Sequence, residues 1–190
     1  MAFDPITGIE YCWDLIALFW LAGMLFIKPI QRKGSFGSRL AQILMAVLGG
    51  VVIGGLIPLG PWMDARIVPL SPSVALAGFF VTLAGCSLAA WARITLGANW
   101  SGRPTVKTGH ELIVKGPYAL VRHPIYTGLL CALAGTILAV DRWRGILGFL
   151  IIAASLAIKM RQEERLMEQT FPSEYPAYRK RVKTLVPGIF

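Results

Sequence analysis

Five apolar runs constrain this chain more than any other feature. They cover residues 11–30, 40–59, 74–96, 125–140 and 146–158, and nearly all of the charge lies between and after them. Bilayer hydrocarbon leaves backbone groups no partner but each other, so a crossing segment is a helix of about 20 apolar residues. The first three runs reach that length. The last two are shorter and are joined only by Asp141-Arg-Trp-Arg-Gly145, which predicts a short helical hairpin that crosses a thin point or stops partway. The expected fold is therefore all-α: a polytopic membrane protein of about five transmembrane helices. Composition agrees, with 55% hydrophobic and 15% charged residues and a mean hydropathy of +0.61.

Within this frame, residues 1–96 are expected to hold the three N-terminal spans. Residues 97–190 form the chemically active part: a polar loop, the hairpin and charged C-terminal helices. Asp14, close to the start of the first run, is read as reaching the headgroups. Gly50-x-x-x-Gly54 in the second run is the small-residue spacing that lets two helices approach closely. Pro58, Pro61 and Pro69 end that span, since proline cannot continue the hydrogen-bond ladder.

The net charge of +9 does not point to nucleic acid, because the basic residues fall between apolar runs instead of on one soluble face. Sixteen of the nineteen Lys and Arg residues lie in the first loop, the third loop and the region from Lys159 onward. The positive-inside rule then puts the N-terminus outside and the third loop and C-terminal tail together in the cytoplasm, against anionic lipid. Cys12, Cys86 and Cys131 are separate thiols in apolar surroundings, and two histidines with no Cys/His cluster predict no metal site. No positively charged leader precedes the first run, which is read as a retained span.

The densest polar chemistry lies in residues 112–128. Gly116-Pro117 allows close backbone approach. Arg122 carries a planar fork suited to a carboxylate or phosphate, and His123 is a second donor held in an extended or turn conformation by the following proline. Tyr118 and Tyr126 offer faces to a flat ring or cation. Toward the C-terminus, Arg161/Arg165 and Glu164/Glu168 each share a helix face, a segregation of like charge that suits a binding face better than a merely solvated one. Glu163 or Glu164 suits an ammonium or a ribose diol. These groups together fit a zwitterionic, nucleotide-like cofactor, and no Gly-x-Gly-x-x-Gly or Walker pattern is present to hold one on a soluble fold. Ser173 is placed to cap a last short helix with Pro176 in its first turn, and the basic run that follows is read as lying on lipid.

These residues also carry a resemblance. Gly97-Ala-Asn-Trp-Ser101, His110-Glu-Leu-Ile-Val114, Gly116-Pro-Tyr118, Arg122-His-Pro-Ile-Tyr-Thr-Gly128, Glu163-Glu164, Phe171 and Tyr175-x-x-Tyr178 resemble, in order and spacing, the isoprenylcysteine carboxyl methyltransferase family in its short prokaryotic form. The resemblance implies an integral membrane enzyme, in a prokaryotic plasma membrane, that uses S-adenosyl-L-methionine. Its acceptor, a lipophilic small molecule or a prenylated one, enters laterally from the bilayer. By position it implies His110, Leu112, Val114, Gly116, Pro117, Tyr118, His123, Tyr126 and Glu164 around the cofactor. It implies Arg122, Glu163 and Glu164 holding cofactor or acceptor near the reacting methyl; the chemistry of in-line displacement adds the expectation that Arg122 or Arg161 orients the acceptor carboxylate. Pro172 departs from the Gly that the family often has after Phe. Other readings compete: a phospholipid, amine or thiol methyltransferase, an NADPH-dependent sterol-reductase-like enzyme, and a non-enzymatic membrane scaffold. The identity of the soluble cofactor discriminates among them.

Overall fold

A computed structural model describes residues 3–26, 30–33, 36–68, 71–97, 105–107 and 112–189. It contains α1 (Pro5–Gly23), α2 (Phe36–Ile53), the single turn α3 (Pro61–Asp64), α4 (Pro72–Leu96), α5 (Pro124–Val140), α6 (Trp143–Thr170) and α7 (Glu174–Arg181). The all-α expectation needs one amendment. Strands β1 (Ile30–Lys33) and β2 (Thr105–Lys107) pair antiparallel, joining the first and third loops by a short ribbon.

By length and composition α1, α4 and α6 can each cross a membrane, with α2 (from Leu40) and α5 as shorter apolar helices. The chain is a membrane protein. Two boundaries differ from the sequence expectation, each for a local reason. Asp4 accepts from the backbone N–H groups of Ile6 and Thr7, so α1 starts six residues before the hydropathy rises and Asp14 lies exposed near its middle. The last helix does not stop at Ile158. Residues 159–170 are mostly good helix formers without Gly or Pro, so the hydrogen-bond ladder continues after the hydropathy falls, and α6 runs for 28 residues.

The α4–α5 seam is the tightest in the bundle, and its pattern is a heptad of small residues. Gly78, Gly85 and Ala92 on α4 are seven apart, as are Gly128 and Gly135, and Ala132 and Ala139, on α5. Seven residues are two helical turns, which keeps such a stripe facing one neighbour. The backbones are nearly in contact: a Cβ on Gly85 would stand 2.4 Å from the Ala132 nitrogen, and one on Gly135 2.5 Å from that of Thr82. Fully buried Thr82 donates to the carbonyls of Gly78 (2.9 Å) and Ala132 (3.1 Å), tying the helices across the seam. The second close approach corrects an expectation by one residue. Gly49, not Gly50 or Gly54, meets the neighbour: a Cβ there would stand 2.9 Å from the Gly148 carbonyl of α6, whereas one on Gly50 meets nothing within 4 Å. Gln42 extends the same α2–α6 seam, donating to Gln162 at 2.8 Å while its own carbonyl accepts from Ser155 at 3.1 Å.

Candidate cofactor and acceptor site

The chain reverses between α4 and α5 through a tight turn. Gly116 adopts φ +59°, a backbone conformation that side-chain-bearing residues rarely take, and Gly116–Ala119 closes as a 3₁₀ turn. Pro117 is fully buried and Tyr118 nearly so. Tyr118 packs with Ala92, Ile125, Tyr126 and Met160, where the ends of α4, α5 and α6 converge. Burial first, and the nearby charge of Glu163 second, push its phenol well above the ordinary value, so it remains a neutral donor. His123 precedes Pro124 and takes φ −122°, ψ 59°, outside the helix as the proline requires. α5 begins directly after it.

Two carboxylates of α6 reach this point. Arg122, whose side chain is 7% exposed, lies 2.7 Å from Glu164, which is 14% exposed. Its other donors reach the Val182 carbonyl at 2.5 Å and the Thr184 hydroxyl at 2.8 Å. The His123 ring stands 3.3 Å from the same Glu164 oxygen. Glu163 is 22% exposed; it accepts a 2.6 Å hydrogen bond from the Tyr126 hydroxyl and lies 3.7 Å from His123. The rings of His123 and Tyr126 stack with centroids 5.5 Å apart. The Lys159 ammonium, one turn before Glu163 on α6, stands 5.4 Å from the Tyr126 ring centroid.

The C-terminal tail holds this arrangement shut. Its dimensions are set by Tyr175 and Tyr178, each 3% exposed, the buried face of α7. Tyr178 donates to the Tyr118 carbonyl at 2.7 Å, and burial pushes its phenol up to about 12. Beyond α7, the backbone N–H groups of Arg122 and His123 donate to the carbonyls of Lys183 (2.8 Å) and Thr184 (3.1 Å), and Thr127 donates to that of Leu185 at 2.9 Å. Ser173 occupies the N-cap of α7, as expected, without a side-chain capping bond. The basic residues 179–181 and 183 remain exposed.

The structure therefore brings together Gly116, Pro117, Tyr118, Arg122, His123, Tyr126, Glu163 and Glu164. Leu112 and Val114 lead into the turn, half-buried and exposed respectively. Arg161 is not with them: it is exposed, and two residues before Glu163 it projects roughly 200° around α6. His110 and residues 98–101 lie outside the described residues. The sequence reading missed Lys159, because hydropathy placed it at a helix end, and Val182 and Thr184, whose contribution is a carbonyl and a hydroxyl after α7. Among the described residues no His/Cys/Asp/Glu cluster fit for a metal occurs.

A cavity of about 310 Å³ is lined mainly by apolar residues, Val68, Ile137, Ile146 and Phe149 among them. Ile137 is eleven residues along α5 from Tyr126, about 16 Å. Too apolar and distant to join the polar cluster, it belongs to the opposite end of the helices.

Comparison with known proteins agrees with the motif reading. Residues 76–169, just under half of the chain, match the isoprenylcysteine carboxyl methyltransferase (ICMT) family. The protein-S-isoprenylcysteine O-methyltransferase B of Arabidopsis thaliana is 30% identical over 81 residues, 42% of this chain and 41% of that protein. An uncharacterized Bacillus subtilis protein, YpbQ, is 30% identical over 80 residues, 42% of this chain and 48% of its own. The chain thus spans less than half the length of the curated relatives it matches. From α4 to the end of α6, the stretch that builds the Arg-His-Pro turn and presents the paired glutamates, this chain is similar to the isoprenylcysteine carboxyl methyltransferase family.

Proposed function

We propose that the protein transfers a methyl group from S-adenosyl-L-methionine to a lipophilic acceptor at the membrane, the acceptor group being the carboxylate of an isoprenylcysteine-like molecule. The observation that carries this reading is the partly exposed Glu163, bonded to Tyr126 and backed by the closed Arg122–Glu164–His123 network, at the level where the apolar part of α6 ends. Support also comes from the family match over residues 76–169.

The residues present fit such a cofactor. Glu163 is a carboxylate for an ammonium or ribose diol. Tyr118 and Tyr126 are aromatic walls for a purine or a sulfonium, and the Gly116 turn keeps side-chain bulk off the backbone there. Arg122, His123 and Glu164 act chiefly by building the wall, since their donors and acceptors are already engaged with one another and with the tail. Arg161 lies outside this set and is not needed for it. When bound, the cofactor supplies a methyl on a positively charged sulfur, whose transfer to a carboxylate leaves a neutral thioether and a neutral ester with no proton to move. The protein's own task is then alignment and exclusion of water, not strong general-base catalysis. Tyr126 and His123 fix the Glu163 carboxylate, and the tail strand 182–185 covers the turn.

The orientation that suits this chemistry has the third loop and the C-terminal tail on the cytoplasmic side, five helices in the bilayer and the N-terminus outside. Membranes that contain the protein, given S-adenosyl-L-methionine labelled in its methyl group and N-acetyl-S-farnesylcysteine, should form a base-labile methyl ester, and Glu163→Gln should lower the rate at least tenfold. Base-stable label in phospholipid instead would make the acceptor an amine, and no transfer to any membrane component would overturn the proposal.

A further inference from the structure

We infer that the end of the bundle opposite the Arg122–Glu164 cluster binds an anionic glycerophospholipid, with one acyl chain in the cavity between α5 and α6 and the phosphate on Arg66 and Arg142. The inference goes beyond the methyltransferase reading and does not depend on it.

The cavity is the first argument. It offers about 310 Å³ among Ile67 and Val68 of the loop before α4, Ile137 and Leu138 of α5, and Ile146 and Phe149 of α6. That is about twice the size of a dry cavity that admits benzene, and enough for a stretch of acyl chain. Ile67, Val68, Leu138 and Ile146 are exposed, so the cavity is open at the surface of a bundle that lies in the bilayer.

Depth is the second. Trp62 and Trp143 are exposed at this end, and exposed tryptophans of membrane proteins settle at headgroup level. Ile146 and Phe149 follow Trp143 by three and six residues, about 5 and 9 Å farther along α6. A lipid whose headgroup is level with the tryptophans therefore presents its chain to the cavity.

Charge is the third. Arg66 and Arg142 form an antiparallel bridge, which sends both side chains to one face with their Cβ atoms about 5 Å apart. Like charges so placed repel, and the nearby carboxylates are committed elsewhere. Asp64 is held by Arg144 at 2.6–2.7 Å and meets Arg142 only at 3.4 Å. Asp141 turns both oxygens to the Val68 N–H at 3.2 Å. Arg66 is exposed and forms no ion pair among the described residues. Within residues 57–68 and 141–146 three arginines stand against two aspartates, leaving one positive charge at the rim of the cavity. A phosphate diester between the two guanidiniums supplies the missing anion while its chain fills the cavity. Neither a free phosphate nor an uncharged lipid does both.

The test irradiates the full chain in detergent with a phosphatidylglycerol that carries a diazirine in one acyl chain, and maps the labelled peptides. Label should concentrate in residues 134–149. Unmodified phosphatidylglycerol should suppress it at a concentration at least tenfold lower than diacylglycerol of the same chains, which lacks the phosphate. Arg66→Gln should lower labelling about threefold, and Arg66→Gln with Arg142→Gln at least tenfold. Ala134→Phe, which fills the cavity from an exposed lining position, should also lower it at least tenfold. Arg165→Gln, a charge change near the other end of α6, should stay within twofold of the parent. Unchanged far-ultraviolet circular dichroism reports that the variants are folded. Label spread evenly over the apolar helices, diacylglycerol competing as well as phosphatidylglycerol, or suppression by millimolar inorganic phosphate alone would overturn the inference. So would undiminished labelling in the double arginine variant or in Ala134→Phe.

Discussion

At one end of the helical bundle Arg144, 3% exposed, lies within 2.6–2.7 Å of both oxygens of Asp64. Asp141 beside it adopts φ +56° and takes the Val68 N–H on its carboxylate at 3.2 Å. At the other end Arg122, 7% exposed, pairs with Glu164 at 2.7 Å. In both, a buried guanidinium pairs with a carboxylate, and both fasten a loop or tail to the start of a helix. They differ in what stands next to them. Around Arg144 the further polar groups are the Ile57 carbonyl at 3.4 Å and Arg142, which shares Asp64 at 3.4 Å, and this leaves a structural clamp. Around Arg122 there is a second carboxylate on a stacked His–Tyr pair, with a lysine over the tyrosine ring. A buried ion pair is weak evidence of function; an additional, partly exposed carboxylate at a membrane boundary is a better guide.

The comparison breaks most visibly at Glu164. Glu164→Gln leaves Arg122 buried without its counter-charge, which costs about 3 kcal/mol where such a pair is broken. Calorimetry should show S-adenosylhomocysteine affinity reduced about 100-fold. Asp64→Asn strands Arg144 in the same way, but Asp64 is 42% exposed and water offsets part of the loss. It should destabilise by about 1–2 kcal/mol, a fall of roughly 2–8 °C in melting temperature, and leave that affinity within twofold. An affinity loss in Asp64→Asn would erase the distinction between the two ends. Replacing both Asp64 and Arg144 by Leu should recover most of the stability, since an apolar pair often substitutes for a buried ionic one.

Tyr126→Phe tests the inner cluster more finely. It removes one hydrogen bond to a charged acceptor, worth about 1.5 kcal/mol, and methyl transfer should slow about tenfold with little change in stability. The smallest effect concerns the tail. The Tyr178 phenol is raised from 10 to about 12 in the folded protein, so the neutral form is favoured there and its contribution is complete below pH 10. It is lost as pH rises toward 12. Tyrosinate absorbance should therefore appear late, together with loss of the near-ultraviolet circular dichroism of the docked tail.

Much of this architecture is legible in the residues. The hydropathy of residues 74–96 and 125–140 marks α4 and α5, and Gly-Pro-Tyr and Arg-His-Pro mark the turn between them and the start of α5. Glu163 and Glu164 are singled out by pairing alone, and the turn gathers them with Arg122 and Tyr126. What hydropathy does not carry is where a helix ends when its chemistry changes but its hydrogen bonding does not, as at Lys159. Nor does it tell which of two adjacent glycines faces a neighbour. Gly49 and Gly50 differ by about 100° around α2, and only the position of α6 separates them. The heptad of small residues across α4 and α5 is in the sequence, but it becomes a seam only once antiparallel pairing is known. The contribution of Val182 and Thr184 leaves no side-chain signal strong enough to find.

Hydrogen–deuterium exchange of the detergent-solubilised protein, with and without S-adenosylhomocysteine, tests the central claim most directly because it locates the ligand along the chain. Binding at the inner cluster predicts slower exchange in residues 116–126, 159–168 and 182–185, with residues 57–68 and 141–146 unchanged. Unaltered exchange at saturating ligand, or protection confined to the Asp64–Arg144 end, would contradict it.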